Sequence, residues 1–444
     1  MRMKGAYFPV YTSSSIKQNI PSYNIMLRAG MVRQHVKGLY SWLPFGTLIL
    51  RKVENVIRST LNSYGMHECI MPCIQSADLW HKTGRYDVYG KETFRLTDRH
   101  NKELLLAPTA EDIITELCKN DIKTYKQLPV KLYQIHWKFR DEIRPKNGMM
   151  RSREFCMKDG YSIDINYDDM ITSYQTVCKA YYEIFNVKLG LQTILNQAEN
   201  GPIGGSLSHE ISVQSEYGEN LLEVDKKYTM LKSKQLLSFD EWYKLYAKDI
   251  DKDVDNNSKT DVHQDGKEDI NSAVNKFAQA SYSQIKSTEI GHIFAFEKKY
   301  TQALNFQVTQ SDNNLTYPYM TSFGIGVTRV VQILVEKFSK DNQLLLPDIV
   351  NPFKIGLIDR NLDNDNGEKI FKLICDDITA DILFDNTDSG VKDKINHHKL
   401  LGVKYTILLS KDKQYFDVVD HRENKIDRDI AIGNIKIYLS NKNC

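Results

Sequence analysis

Cysteine is scarce and unpaired in this chain: 7 of 444 residues, at 69, 73, 118, 156, 178, 375 and 444, with no Cys-x-x-Cys spacing. An odd, scattered set excludes a disulfide framework or a zinc ribbon and leaves reduced thiols as the simplest reading. Long apolar runs are also missing, and no window approaches the ~18 residues of a membrane span. The opening MRMKGAYFPV has basic residues but no apolar stretch behind them of the kind a secretory signal carries. Nor is there a surplus of either charge. Lys and Arg number 59 and Asp and Glu 57, for a formal +2. No global positive field announces nucleic acid, so any RNA contact must come from local patches. What remains is a soluble, cytoplasmic protein, 41% hydrophobic and long enough for roughly three domains.

The most informative stretch is Val130–Ile163, VKLYQIHWKFRDEIRPKNGMMRSREFCMKDGYSI. From Tyr133 it alternates: Tyr133, Ile135, Trp137 and Phe139 on one side, and Gln134, His136, Lys138, Arg140 and Glu142 on the other. Period two predicts a strand with a packed face and a working face. A basic connection, Arg144–Arg151, leads to a second apolar run at Phe155, Cys156 and Met157, which makes a long-looped hairpin. Arg140, Arg144, Arg151 and Arg153 cluster around it. Guanidinium forks grip phosphate oxygens through paired bonds, so a polyphosphate site fits. On arginine density alone, a basic solvated hairpin fits equally well.

Other segments carry weaker signals of their own. Pro44–Tyr64 reads as an amphipathic helix closed by Gly65, followed by a strand over Met66–Met71 that stops at Pro72. Leu104–Asp112, LLLAPTAED, runs from an apolar strand through a Pro-Thr turn into a helix start. There Thr109 is expected to cap, with Glu111 and Asp112 in the first turn. Asp168–Phe185 is a helix. Gly201–Glu210 is a loop before a strand at Ile211–Ser215, and Ser287–Leu304 a short strand and then a helix. In MTSFGIGVTRVVQILVEKF, Gly324 and Gly326 are expected to open a helix. Arg329 in its first turn opposes the dipole and so calls for an anionic partner. Residues 247–272 are nearly devoid of apolar groups and rich in acids, which predicts a solvated loop, His263 included. From Asn351 the chain alternates short strands and helices, predicting a compact α/β domain with a mixed sheet.

FRDEIRP followed by MRSREF resembles motif 2 of the class II aminoacyl-tRNA synthetases in the form used by prolyl-tRNA synthetases. The helix–strand–Pro unit resembles motif 1, GIGVTR resembles motif 3, and AGMVRQHVKGLYSWLPFG (Ala29–Gly46) is similar to the prolyl subgroup. The resemblance implies an α+β protein: an antiparallel-sheet catalytic domain over 1–350 and a small α/β anticodon-binding domain over 351–444. It also implies ATP and Mg2+, L-proline, proline tRNA and a homodimer built on motif 1. By resemblance, Arg140 bridges the proline carboxylate and the α-phosphate. Glu142, Arg151 and Ser152 hold the nucleotide, Phe155 stacks on adenine and Arg329 binds the far phosphate. Thr109, Glu111 and His292 line the proline pocket, and Glu289 reaches the magnesium.

Many bacterial relatives carry an editing domain between motifs 2 and 3. The acidic 247–272 stretch stands there instead, too short for such a domain, so no alanine editing in cis is expected. Where the family tends to carry arginines after the second strand of the C-terminal domain, this chain reads Asp385-Asn386-Thr387-Asp388-Ser389-Gly390. Lys392, Lys394, His397 and Lys399 are then the candidate backbone contacts. The alternatives are a threonyl or seryl relative, and a non-catalytic paralogue that binds RNA or a partner. The Ala29–Gly46 segment and the lack of a zinc-binding Cys/His set speak against the first. Retention of Arg140 and Arg329 speaks against the second.

Overall fold

A computed structural model describes residues 1–11, 19–199, 203–225, 237–246, 282–361, 365–377, 381–411 and 414–442. The expected acidic loop, with His263 and Gly201, lies outside them. The chain divides into two compact units. The first comprises Arg58–Ile143 and Phe155–Val327, the second Met1–Ile57, Arg144–Glu154 and Thr328–Cys444. The helix α1 (Pro44–Ser63) straddles that division and ends at Gly65, whose φ of 72° takes the left-handed turn glycine tolerates.

The first unit is organised on one eight-stranded sheet. In chain order its strands are β1 (His67–Glu68), β2 (Val130–Phe139), β3 (Glu154–Asp164), β4 (Thr193–Gln197), β5 (Leu207–Gln214), β6 (Asn220–Asp225), β7 (Tyr282–Glu297) and β8 (Tyr319–Gly326). The spatial order is β1-β2-β3-β8-β7-β5-β4, with β6 pairing β7. Pairings from β3 through β8 and β7 to β5 and β4 are antiparallel, while β1 runs parallel to β2 at the edge. This is the antiparallel sheet expected. Helix α2 (Glu111–Asp121) covers one face: its Ala110, Ile114 and Cys118 pack with Tyr161, Ile163, Phe296 and Met320. Each fully buried aliphatic chain there contributes about 1.5–3 kcal/mol. Helix α3 (Tyr167–Tyr182) covers the other face, burying Met170, Tyr174, Val177 and Tyr181 at helical spacing.

Several expectations need correction. The polar side of β2 is partly interior. Gln134 and Lys138 are buried, because Asp159 on β3 takes a hydrogen bond from Gln134 Nε2 (2.9 Å) and an ion pair from Lys138 Nζ (3.0 Å). β2 ends at Phe139, so Arg140 and Glu142 begin the connecting loop. β5 starts at Leu207, before the expected Ile211, and β7 is 16 residues long. Both extend because each is paired on two sides. Gly324 and Gly326 belong to β8; they do not open the helix. Gly324 stands in register with His292 and Asp159, where a side chain would occupy the face that α2 covers.

In the second unit, α4 (Val327–Lys337) supports the loop 144–154. Gln332 Oε1 accepts from Met149 N–H (2.6 Å) and Gln332 Nε2 donates to the Asn147 carbonyl (3.0 Å). Gly148 sits at φ 66°, where an added Cβ would lie 2.8 Å from Gln332 Oε1 and 2.9 Å from the Tyr23 ring. The same unit contains the expected mixed sheet: β9 (Ile355–Asp359), β10 (Ile382–Phe384), β11 (Tyr405–Leu409), β12 (Tyr415–Asp420) and β13 (Lys425–Ala431), in the order β10-β9-β11-β12-β13. β10, β9 and β11 are parallel and the rest antiparallel. Helices α5 (Asp365–Asp377) and α6 (Val391–Leu400) intervene. Of the basic residues expected to meet RNA, Lys394 is buried and therefore unsuited; Lys392 is exposed.

Candidate active site

The α2 face of the sheet gathers the polar groups of the first unit, beginning at the helix start. Thr109 does not cap: the N-cap is Ala110, and Thr109 Oγ1 instead donates to Glu111 Oε2 at 2.5 Å. Ala110 N–H donates to Tyr161 OH (3.1 Å), which donates to Asp159 Oδ2 (2.9 Å). Tyr161 and Asp159 of β3 therefore fix where α2 begins. Glu111, 1% exposed, takes Arg85 Nη1 on Oε2 (3.0 Å) and Ser322 Oγ of β8 on Oε1 (3.0 Å). The same Arg85 nitrogen lies 2.6 Å from Asp112 Oδ2. Arg85 is itself buried, caged by the rings of Trp80 (4.5 Å), Tyr89 (4.8 Å) and Tyr300 (5.4 Å).

This arrangement sets the charge. Complete burial pushes the Glu111 pKa up, but Arg85, Thr109 and Ser322 together hold it below the ordinary carboxylate range. Burial also pushes Asp112 up, and Arg85 and Thr83 offset only part of that. With both acids ionised, one guanidinium faces two carboxylates and the trio carries one net negative charge. A carboxylate offers about four acceptor sites. Thr109, Arg85 and Ser322 each donate to the Glu111 carboxylate, and its own backbone N–H adds a fourth stabilising interaction. A buried carboxylate in a trio of net negative charge suits a small cationic amine.

Arg140 lies at the start of the loop after β2. Its Nη2 is 3.5 Å from the Pro108 carbonyl, beside Thr109, and its guanidinium carbon is 5.3 Å from the Phe155 ring centre. Its Nε is shielded from solvent and has no hydrogen-bond partner among the described residues. A shielded, unsatisfied donor of this kind is costly unless an acceptor arrives, and an anion next to the Glu111 pocket would supply one. Glu142 N–H donates to the Arg140 carbonyl at 2.8 Å, which tightens the turn that carries both side chains.

Farther along the same face, His292 stands opposite Gly324, one two-residue step from Phe294, which is paired with Ser322. That step is roughly 7 Å. His292 Nε2 meets Ser208 Oγ (2.7 Å), Nδ1 faces Glu289 Oε1 (3.1 Å), and the ring stacks on Phe294 at 3.8 Å. Glu210, Glu289 and His292 bring one ligand atom each within 4.8 Å of one another. Two carboxylates supply the hard oxygen donors that Mg2+ takes, and the imidazole, held by Ser208, orients one of them.

The second unit holds the remaining residues. Arg329 Nε donates to the Met150 carbonyl (3.0 Å), which ties α4 to the loop before β3. Lys146 N–H bonds to the Arg151 carbonyl (3.3 Å), and the buried Ser152 hydroxyl lies 3.5 Å from the Gly148 carbonyl. The structure thus brings Arg151, Ser152 and Arg329 together on α4 and its loop. Thr109, Glu111, Arg140, Phe155, Glu289 and His292 share the sheet of the first unit.

Residues 94–338 match the family described as tRNA synthetase class II core domain (G, H, P, S and T). The proline--tRNA ligase of Rickettsia canadensis (strain McKiel) is 36% identical over 98% of this chain and 97% of its own length. That of Wolbachia sp. subsp. Drosophila simulans (strain wRi) is 38% identical over 93% and 92%. The chain belongs to the prolyl-tRNA synthetases. Among solved structures, the Cryptosporidium parvum prolyl-tRNA synthetase complexed with halofuginone and AMPPNP has a TM-score of 0.70 at 13% identity, covering 95% of this chain and 74% of that one. The Giardia lamblia prolyl-tRNA synthetase in complex with prolyl-adenylate has a TM-score of 0.69 at 16% identity, covering 93% and 73%. These likenesses establish the class II fold.

For a prolyl-tRNA synthetase, the residues that motif reading missed are the ones that hold others. Arg85 sits in TGRYDVYG, a segment without periodicity. Its only sequence signal is an arginine flanked by aromatics. Ser322 follows Thr321 in a mostly buried strand, where a serine draws no attention. Glu210 follows Ser-His in the strand that pairs with His292, and only the register reveals its neighbours.

Proposed function

We propose that this chain ligates L-proline to its tRNA in two ATP-dependent steps through prolyl-adenylate, releasing pyrophosphate and then AMP. The observation that carries the reading is Glu111: a buried carboxyl that Arg85, Thr109 and Ser322 hold below the ordinary carboxylate range, on the same unit as an arginine with an unsatisfied donor. The imino group of proline binds Glu111 with Thr109, and its carboxylate meets Arg140. In the first step a carboxylate oxygen attacks the α-phosphorus of ATP, an O–P bond forms, and the bond to the departing pyrophosphate breaks. The nucleophile is already ionised, so no general base is needed; positioning and charge neutralisation suffice. Arg140 supplies both at the α-phosphate. Glu142, Arg151 and Ser152 hold the nucleotide, Phe155 offers its ring to adenine, and Arg329 binds the far phosphate. When bound, Mg2+ neutralises phosphate charge, with Glu289 and Glu210 as its protein ligands. In the second step the terminal ribose hydroxyl of the tRNA attacks the carbonyl of the anhydride and AMP leaves.

Residues 1–350 we read as the catalytic domain and 351–444 as the anticodon-binding domain. A homodimer is supported by the exposure of Ile70 (75%) and Ile74 (52%) just beyond the edge strand β1, apolar area that a second copy would cover. Among the described residues no helix is long and apolar enough to cross a membrane, which fits a cytoplasmic enzyme. ATP–pyrophosphate exchange with proline, threonine and serine tests the assignment. Exchange with proline alone is expected, and exchange with another amino acid or with none overturns it. Purified protein should not accelerate hydrolysis of alanylated proline tRNA above the buffer rate, and rapid deacylation would refute the absence of editing.

A further inference from the structure

Residues Met1–Lys4 lie along β10, the outer strand of the mixed sheet. Met3 N–H donates to the Phe384 carbonyl (2.9 Å), Phe384 N–H donates to the Met1 carbonyl (2.8 Å), and Arg2 stands in parallel register with Phe384. Met3 is buried. Arg2 grips both Glu368 oxygens through Nε and Nη2 (2.9 and 2.8 Å) and lies over the Phe371 ring at 4.6 Å, both residues of α5. Lys4 then turns to the loop that follows β10. Its N–H donates to Asn386 Oδ1 (2.7 Å), and its ammonium lies 3.1 Å from Asp388. From the inner side, Asp385 Oδ1 holds the same loop by accepting from Thr387 N–H (3.2 Å) and Oγ1 (2.6 Å).

Covering an exposed sheet edge would need only the backbone ladder. The contacts of Lys4 go further, because they fix a loop and cancel the charge of an exposed aspartate in it. That loop, Asp385–Gly390, is where the arginines of the family's pattern are missing, and it leads into α6 with its exposed Lys392. An uncompensated Asp388 would repel a phosphate backbone. We propose that Met1–Lys4 is a positioning element of the tRNA-contact face: it holds loop 385–390 beside α6 and neutralises Asp388 so that the RNA backbone can approach. The inference rests on reading 351–444 as the anticodon-binding domain.

The test uses the full chain and a proline tRNA transcript, comparing Lys4→Glu, Lys4→Arg and Lys392→Glu. Tryptophan-independent binding signals are unnecessary, because two activities separate the outcomes: tRNA-free pyrophosphate exchange, and the KM and kcat of aminoacylation for tRNA. Lys4→Glu is expected to raise the tRNA KM by about two- to fivefold, the scale of a lost surface charge interaction. Exchange and kcat should stay unchanged, Lys4→Arg should restore KM, and the difference should shrink at high salt. If Lys4→Glu leaves KM unchanged while Lys392→Glu raises it, the inference is overturned and the domain reading stands. If neither moves KM, the domain reading fails and takes the inference with it. If exchange falls together with aminoacylation, the segment is a general stabiliser and the inference is overturned.

Discussion

Replacing Arg85 with methionine removes the guanidinium but keeps an apolar chain of similar length inside the Trp80–Tyr89–Tyr300 cage. Glu111 and Asp112, 1% and 0% exposed, would then lose the cation bonded to both, with only the more distant Lys299 ammonium acting on them. Breaking a buried ion pair by deleting one partner costs about 3–5 kcal/mol, chiefly because a charge is left uncompensated. Arg85 is the strongest influence opposing burial at Glu111. Without it only the hydrogen bonds from Thr109, Ser322 and the backbone oppose burial, and the carboxyl pKa moves up. The sign follows from linkage. A carboxyl held below its unfolded pKa stabilises the fold above that value and loses the contribution as pH falls through the lowered one. Arg85→Met abolishes that contribution. The proline amine then loses its counter-charge, so kcat/KM for proline should fall roughly 10- to 150-fold, the 1.5–3 kcal/mol of a charged hydrogen bond, with the KM for ATP little changed. Urea unfolding followed by tryptophan fluorescence reads stability, and proline titration in pyrophosphate exchange reads binding. The double variant Arg85→Met/Asp112→Asn should recover part of the stability, since it leaves a single acid. An Arg85→Met protein within about 1 kcal/mol of the parent, with an unchanged proline KM, would refute the reasoning.

Arg140→Ala should slow proline-dependent exchange by roughly 10²–10³, the scale of a lost oxyanion donor; near-normal exchange would remove Arg140 from the mechanism. Glu289→Gln should raise the Mg2+ concentration for half-maximal exchange roughly tenfold, as lost metal-site groups do, and Glu210→Gln should do the same. An unchanged Mg2+ titration in both would dismiss the cluster. His421, bonded to Thr406 Oγ1 at 2.7 Å, has its pKa lowered to about 4 by burial. Only the unfolded chain protonates it between pH 6.5 and that value, so stability falls as pH drops through the window, by at most about 1.4 kcal/mol per pH unit. His421→Gln should therefore show a flatter dependence between pH 7 and 5 in urea unfolding, and an identical slope would count against this account.

The sequence revealed most where one local pattern decided the structure. α1 runs from Pro44 to Ser63 almost as its amphipathic spacing and Gly65 require, and β11 is Tyr405–Leu409 as read. It misled where tertiary pairing overrode local character. Alternation in β2 set Gln134 and Lys138 on a polar working face, and a single aspartate on the neighbouring strand makes both interior. Thr109 looked like a cap, yet Glu111 two residues on was a better partner for its hydroxyl. The candidate site residues in motifs could be named from the sequence because their spacing is local. Arg85, Ser322 and Glu210 were not, since their roles depend on approaches across 26, 211 and dozens of residues that no window contains.

The account depends most on where proline binds, and a structure of the enzyme with a non-hydrolysable prolyl-adenylate analogue tests that directly. The account predicts the pyrrolidine nitrogen within hydrogen-bond reach of Glu111, with the Arg85 pair intact and Arg140 on the acyl-phosphate oxygens. A pyrrolidine bound away from Glu111, or an Arg140 turned from the phosphate, would contradict it.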